Sequence, residues 1–212
     1  FRLSNGRYFQ WAHHDDVRAP ECLSWCVDVL DSDESIVLCY PRTTFIDEDG
    51  SELDISEMEL RVTSSRPNER FHDLLCRYHN CLPLHGLIRR DILEQSDLIG
   101  PYAHSDKVLL AQLSLYGRFH RLSEYLFYNR WYEGQSISAH PDPHERTKLW
   151  YANPEEDEDG EWTPWSLMFW NSAVSAVRNA PVDWYERMLC FAHVAEWMNA
   201  YRGVMVRDFA RA

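Results

Sequence analysis

The chain has 212 residues, of which 45% are hydrophobic, enough to build a sizeable core in one domain or in a domain with an appendage. Its formal net charge of −13 argues against nucleic acid as the main partner, because phosphate binding requires a basic face. An acidic chain can still bind a nucleotide through a divalent cation held by carboxylates. No apolar stretch reaches the roughly 20 residues that span a bilayer, so no transmembrane segment is predicted.

The first third of the chain predicts short strands around one helix. Residues 7–12 form an aromatic run typical of a short strand, and a helix is predicted to follow from Pro20. Its apolar face consists of Leu23, Cys26, Val27 and Leu30. Two short β-rich runs come next, at 36–40 and 43–46, and residues 51–67 predict a polar loop.

The middle third continues this alternation. A helix is predicted from Asn68 to His79, with Phe71, Leu74, Leu75 and Tyr78 on one side. Residues 82–88 predict a strand in which Gly86 marks a close backbone approach. A further helix ends at Tyr116 and is followed by 118–128, which predicts a strand pair or an extended edge.

The last third is predicted to be helical after a long loop. Residues 132–162 are rich in proline, glycine and acidic residues, and the run 155–161 predicts a solvated loop. Pro164 and Pro181 then begin two helices whose apolar stripes predict core packing. These stripes are formed by Leu167, Trp170, Val174 and Val177, and by Trp184, Met188, Phe191 and Ala195. The whole pattern predicts an α/β layer with a helical C-terminal appendage.

The six cysteines lie among apolar residues without a Cys-x-x-Cys pair. Cys76 and Cys81 flank His79, an arrangement compatible with zinc. Free cysteine is among the most buried residue types, so we interpret all six as reduced, buried thiols.

The stretch WAHHDDVRAP, at 11–20, places two histidines and two aspartates at a predicted strand end, where open α/β sheets bind ligands. Adjacent side chains on an extended chain point to opposite sides, so Asp15 and Asp16 are expected to have different partners. Carboxylates suit magnesium or manganese, whereas His13 and His14 are expected to be turn or surface residues. A polar turn before the helix is the alternative interpretation.

The stretch GRYFQWAHHDDVRAPECLSWCVDVLD resembles the central motif of family 2 glycosyltransferases, a strand ending in a DxD-type motif followed by a proline and a helix. The matching positions are Gly6, Tyr8, Asp15, Asp16 and Pro20. CYPRTTFIDEDG is similar to the family's following strand and turn, and LPLHGLIRRDIL with LIGPYAHSDKVLLAQLSLYGRF to its acceptor-side half. There Ser105-Asp106 stands where the family has a Glu-Asp pair.

The segment YNRWYEGQSIS resembles the family's closing R-x-H-x-x-x-S loop, with Arg130, Tyr132 and Ser136 at the three positions. The resemblance implies the C-terminal half of a nucleotide-diphospho-sugar transferase-type α/β sheet of the A-type glycosyltransferase fold, layered with helices. Residues 1–138 would be a partial catalytic domain, and 139–212 an acidic loop and helical extension like that of some bacterial members. The family's nucleotide-binding first half is missing, so we expect a fragment or a protein without donor binding.

The resemblance implies an inverting enzyme that moves a sugar from a nucleotide-sugar donor to an acceptor hydroxyl. Asp16 would hold a divalent cation, Mg²⁺ or Mn²⁺, and Asp15 and Arg130 would contact the donor. Asp106 would accept the proton of the attacking hydroxyl, at a helix start whose dipole favours the ionised carboxylate. His85 and Gly86 would line the acceptor pocket.

The implied acceptor is a saccharide or a lipid-linked sugar, in cell-surface polysaccharide or glycolipid synthesis. The expected location is the cytoplasm, including peripheral association with the inner face of the membrane. Two other classes stay open. One is a metal-dependent phosphohydrolase, in which the second His-Asp pair, His72-Asp73, would converge on Asp15. The other is a binding or assembly module without catalysis.

Overall fold

The computed structural model describes residues 1–151 and 163–211, without the side chains of residues 136 and 137; the predicted acidic loop 155–161 lies outside these ranges. The strands are β1 (Tyr8–Phe9), β2 (Val17–Arg18), β3 (Ile36–Ile46), β4 (Leu87–Arg89) and β5 (Arg118–Arg130). The helices are α1 (Cys22–Ser32), α2 (Pro67–Cys76), α3 (Arg90–Leu93), α4 (Ser105–Tyr116), α5 (Ser136–Ala139), α6 (Pro143–Tyr151), α7 (Trp165–Asn179) and α8 (Trp184–Phe209), with a 3₁₀ helix at Leu82–His85.

The five strands form one mixed sheet in the order β1-β4-β3-β5-β2. The central pair, β3 and β5, is parallel, and the other pairs are antiparallel. The two runs predicted as separate strands are one strand, β3. It passes through Pro41 by shifting its register against β5 on either side of Arg42.

Helices cover both faces of the sheet, which confirms the predicted α/β fold. One face carries α1, whose Cys22, Cys26 and Leu30 pack with Leu122 and Leu126 of β5. The other face carries α2 and α4, with α7 and α8 packed against them in the same continuous core. The boundary at residue 138 stays a prediction.

Several predicted helix faces differ from those in the structure. On α1, Leu23 is 45% exposed, because the buried residues follow a spacing of four from Cys22. On α2, Tyr78 lies beyond the helix end and is exposed. On α7, Val177 is buried and Trp170 and Val174 pack against the core, as predicted. The other buried residues of α7 lie off the predicted stripe; they are Trp165, Ser166, Phe169, Ala173 and Ala176. On α8, the buried residues all lie off the predicted stripe; they are Cys190, Val194, Trp197 and Asp208.

One predicted strand and one predicted loop differ from the structure. Within 82–88, predicted as one strand, Leu82–His85 form the 3₁₀ helix, since Pro83 suits the first turn of a helix and lacks the NH that a strand ladder needs. Leu87 and Ile88 belong to β4, so only the end of the predicted strand is confirmed. The predicted loop 132–162 contains α5 and α6. Within the described ranges, no helix is both long enough and apolar enough to cross a membrane.

Candidate active site

Asp16 lies just before β2, against the end of β5. Its Oδ1 accepts hydrogen bonds from Asn129 Nδ2 at 2.9 Å and from the backbone NH of Arg130 at 3.0 Å. The side chain is only 2% exposed, and Oδ2 has no hydrogen-bond partner among the described residues. Buried carboxylate oxygens normally have a partner, so the end of β5 holds Asp16 in place and leaves one oxygen for a ligand.

Two histidines face this oxygen. His13 Nδ1 lies 3.5 Å and His85 Nδ1 3.8 Å from Asp16 Oδ2, too far for strong hydrogen bonds. The Nδ1 atom of His85 is itself buried without a partner among the described residues. One ligand atom from each of the three residues lies within 4.8 Å of the others. This set of two imidazoles and one carboxylate fits a transition-metal ion, and we refer to it as the Asp16 group.

The protonation states suit metal binding. Burial opposes ionisation of Asp16, but His13 and the backbone NH of Arg130 outweigh it, and the Asp16 pKa lies below its ordinary value. Burial lowers the pKa of His85 to about 3, with a further decrease from His13 and an opposing increase from Asp16. At neutral pH the group therefore offers a carboxylate and a neutral imidazole, the forms in which these side chains bind metals.

Packing fixes the ring of His85. It stacks on Phe127 of β5 with ring centroids 4.6 Å apart, and the edge of His13 meets it at 4.5 Å. Gln10 Nε2 also donates to the backbone carbonyl of His85 at 2.6 Å. The sequence interpretation of His13 as a turn or surface residue omitted this contact, whereas His14, at 92% side-chain exposure, is the expected surface residue.

Arg130 joins three backbone segments at the end of β5. Its Nε donates to the Asp15 carbonyl at 3.1 Å, and its Nη1 donates to the carbonyls of Asp47 and Glu48, both at 2.7 Å. The Asp15 carboxylate accepts from the Tyr132 hydroxyl at 3.4 Å. Arg130 thus positions the loop that carries the two aspartates, and the donor contacts of Asp15 and Arg130 stay predictions.

Asp106 lies in the first turn of α4, as predicted, and its Oδ1 accepts the backbone NH of Lys107 at 2.9 Å. It is close to the loop before the 3₁₀ helix: burial raises the pKa of Cys81 well above its usual value, and the charge of Asp106 adds to this rise. Burial lowers the pKa of His79 to about 4, against a small increase from Asp106.

A cleft of about 250 Å³ opens beside His79. Its walls include Tyr40, Glu57, Tyr78, His79, Leu82 and Pro83. Leu82 and Pro83 begin the 3₁₀ helix, and His85 ends it. One short helix therefore borders the cleft and also supplies a histidine to the Asp16 group.

Gly86 is buried against β3. A Cβ atom at this position would lie 2.5 Å from the Cys39 carbonyl oxygen and 2.7 Å from Tyr40 Cβ, which confirms the predicted close backbone approach. The acceptor contacts predicted for His85 and Gly86 stay predictions.

Asn129 and Arg18 were absent from the sequence prediction. Asn129 is a buried polar residue that Trp131 Nε1 supports with a hydrogen bond of 2.8 Å. Arg18 lies with its guanidinium 5.3 Å from the centre of the Phe127 ring, and its Nε has no hydrogen-bond partner among the described residues. A polar residue among the aromatics at the end of β5 was the available signal for Asn129.

The His72-Asp73 pair does not join the Asp16 group. Asp73 is fully buried and accepts from Arg61, in the loop before α2, and from Arg77, the residue that follows α2. Among the described contacts, these residues share no partner with Asp15 or Asp16. The convergence that the phosphohydrolase hypothesis requires is therefore missing from the described part of the chain.

The fold is similar to that of TarS from S. aureus, a glycosyltransferase. The crystal structure of TarS 1–349 in complex with UDP-GlcNAc matches with a TM-score of 0.50 at 14% identity, over 94% of this chain and 50% of that chain. Another crystal structure of S. aureus TarS matches with a TM-score of 0.38 at 13% identity, over 95% and 40% of the two chains. No family model and no curated protein matches the sequence.

The chain spans about half the length of the TarS 1–349 structure. At this identity the likeness shows the fold alone, which is a mixed α/β, glycosyltransferase-like fold.

Proposed function

We propose that this chain forms the metal and acceptor side of an inverting glycosyltransferase that uses a nucleotide-sugar donor. The observation that carries the proposal is the buried Asp16 Oδ2, which lies beside His13 and His85 and has no hydrogen-bond partner among the described residues. The 3₁₀ helix that supplies His85 also borders a cleft. The TarS structure with a similar fold contains UDP-GlcNAc, which supports a nucleotide-sugar as the donor class.

Asp16, His13 and His85 would hold the divalent cation. Two nitrogen ligands favour a transition ion such as Mn²⁺ over Mg²⁺, which prefers oxygen ligands and water. When bound, the cation neutralises the charge that develops on the departing diphosphate. Asn129 and the backbone NH of Arg130 keep the Asp16 carboxylate oriented, while Arg18 adds a positive charge on the same side of the sheet.

Asp106 is the proposed general base. Its position at the start of α4 favours the carboxylate form, and one of its oxygens is held by the NH of Lys107. The acceptor would lie in the cleft beside His79, where Tyr40 and Tyr78 offer aromatic surface and Glu57 a polar group. Asp106 would take the acceptor proton as the hydroxyl oxygen attacks the anomeric carbon with inversion.

We propose a saccharide or lipid-linked acceptor and a cytoplasmic location, at the membrane where the acceptor is lipid-linked. The whole enzyme would include the donor-binding residues that the family places before this part.

Manganese binding tests the Asp16 group. The electron paramagnetic resonance signal of free Mn²⁺ should decrease on titration with the chain, and Asp16→Asn and His85→Gln should each abolish this decrease. His14→Gln, at an exposed neighbouring position, is the matched control and should bind Mn²⁺ like the original chain. Absence of Mn²⁺ binding to the original chain would contradict the proposed site.

Transfer is measured in the full-length protein with nucleotide-sugar donors. Asp106→Asn should retain Mn²⁺ binding and lower kcat by at least about 100-fold, the usual contribution of a general base. Nucleotide-sugar binding without transfer in the original protein would instead identify a binding module.

A further inference from the structure

A second group of metal-binding side chains lies between α2 and α8. His72 and Cys76 are four residues apart and therefore share one face of α2, and Glu196 approaches them from α8. One ligand atom from each of these residues lies within 4.8 Å of the others.

The ring of His72 is oriented as a metal ligand would be. Its Nδ1 lies 2.9 Å from Oδ1 of the fully buried Asp73, and its Nε2 lies 3.5 Å from Glu196 Oε1. Histidines that bind metals commonly donate their second ring NH to a carboxylate, which fixes the tautomer and the ring orientation. Asp73 is itself held by Arg61 and Arg77, so this support is rigid.

The thiol of Cys76 lies at the inner end of the group. It is half-buried, and its Sγ donates to the carbonyl of His193 at 3.4 Å on α8. Glu196 also meets His193 Nδ1 at 3.2 Å, so its carboxylate already points toward α2. His72 is 22% and Glu196 55% exposed, which leaves a path for an ion from solvent.

We propose that His72, Cys76 and Glu196 bind a zinc ion that links α8 to α2. A thiolate, an imidazole and a carboxylate are all common zinc ligands, and the sulfur and nitrogen atoms disfavour Mg²⁺ and Ca²⁺. Three protein ligands leave the fourth tetrahedral position for water. Binding displaces the Cys76 proton to solvent, since the thiolate is the ligand form. This site shares no residue with the Asp16 group and does not depend on the proposed transfer activity.

Zinc titration against a chromophoric chelator tests the proposal. We use the Asp16→Asn background, which removes a zinc contribution from the Asp16 group. The Asp16→Asn chain should bind one equivalent of zinc, and Cys76→Ser or His72→Gln added to it should lose this binding. His140→Gln is the matched control, because His140 pairs with Glu145 at 3.2 Å in a His–Glu pair that shares no residue with the proposed zinc ligands.

Two further measurements keep the test independent of folding defects. Glu196→Gln changes a half-exposed ligand and should weaken zinc binding at least about tenfold with an unchanged circular dichroism spectrum. In the original chain, zinc should also slow alkylation of Cys76, followed by mass spectrometry of its peptide. Unchanged zinc affinity in Cys76→Ser, or equal alkylation rates with and without zinc, would overturn the proposal.

Discussion

At the scale of single residues, burial holds His79 in its neutral form. Its Nε2 donates to the Leu74 carbonyl at 2.8 Å, and its Nδ1 accepts the NH of Cys81 at 3.1 Å. A proton on Nδ1 would remove the second hydrogen bond. Burial lowers the pKa of His79 to about 4, and it lowers the pKa of His104 to about 4 as well. At a pH between the folded and unfolded pKa values, the unfolded chain therefore binds protons at these two histidines that the folded chain does not bind.

This difference in proton binding predicts that the free energy of unfolding decreases as the pH falls. The pKa of His79 is 6.5 in its unperturbed state and lower in the folded chain, so its contribution is complete above pH 6.5 and is lost as the pH falls toward 4. Between pH 7 and pH 5, the original chain should lose roughly 1–2 kcal/mol more unfolding free energy than His79→Gln, which titrates in neither state. Urea unfolding at both pH values measures this difference. His14→Gln should keep the original pH dependence, and an equal loss in His79→Gln would refute the assignment.

At the scale of elements, the 3₁₀ helix and β4 pack closely against β3 because Gly86 has no side chain. The φ of Gly86 is −78°, which any residue adopts, so the requirement is for space. Two of the three atoms nearest to an added Cβ are the Cys39 carbonyl oxygen and Tyr40 Cβ. The first is a backbone atom, and the second is bonded directly to the backbone. Neither can move away without moving β3.

Gly86→Ala should therefore lower the unfolding free energy by about 1–3 kcal/mol, the usual cost of overpacking. It should also weaken Mn²⁺ binding, because it displaces the adjacent His85. Gly203→Ala is the matched control within α8, where the nearest atom to an added Cβ is the flexible end of Arg207 at 3.9 Å. This control should be neutral or more stable by up to about 1 kcal/mol. Equal effects in urea unfolding would contradict the packing argument.

The sequence was sufficient to predict the elements with local signals. The helix after Pro20 and the helix that ends at Tyr116 are confirmed, since periodicity and flanking residues define both. The face of α8 was wrong: apolar residues surround this helix, and the packing partners decide which of them are buried. Trp184 and Met188 are exposed as a result.

The Asp16 group shows a different limit of prediction from the sequence. Asp16 was a predicted ligand through the resemblance, and its ligand role stays a prediction. Its proximity to His85 depends on the 3₁₀ helix and on Phe127, which are distant in the sequence. Local sequence patterns do not predict contacts between residues that are so far apart in the chain. No sequence pattern other than the neighbouring His-Asp-Asp residues pointed to His13.

At the scale of the whole molecule, α7 and α8 complete the core that α2 and α4 begin. Phe169 of α7 stacks on Trp197 of α8 with centroids 4.2 Å apart, and Trp197 stacks on Tyr201 at 5.0 Å. Phe169 and Trp197 belong to the same buried cluster as Phe71 and Leu74 of α2, and Tyr201 packs against it. We therefore expect the C-terminal helices to unfold together with the sheet.

Trp197→Ala should lower the unfolding free energy by about 3–5 kcal/mol, the cost of removing a buried aromatic side chain. Far-UV circular dichroism and fluorescence should show one coincident transition in urea. Trp184→Ala is the matched control, because Trp184 is 77% exposed and its loss should change stability by no more than about 0.5 kcal/mol. Separate transitions for the two probes would show that the helices unfold independently.

The parallel pairing of β3 with β5 has a consequence for folding kinetics. These strands are joined through α2, the 3₁₀ helix, β4, α3 and α4, so their alignment closes a long loop of chain. Contacts of high sequence separation form slowly, because the entropy of loop closure is lost before the contacts compensate for it. Asn129 and the backbone of Arg130 reach Asp16 only from the far end of this pairing. The carboxylate therefore gains its native environment only after the slowest part of the sheet has assembled.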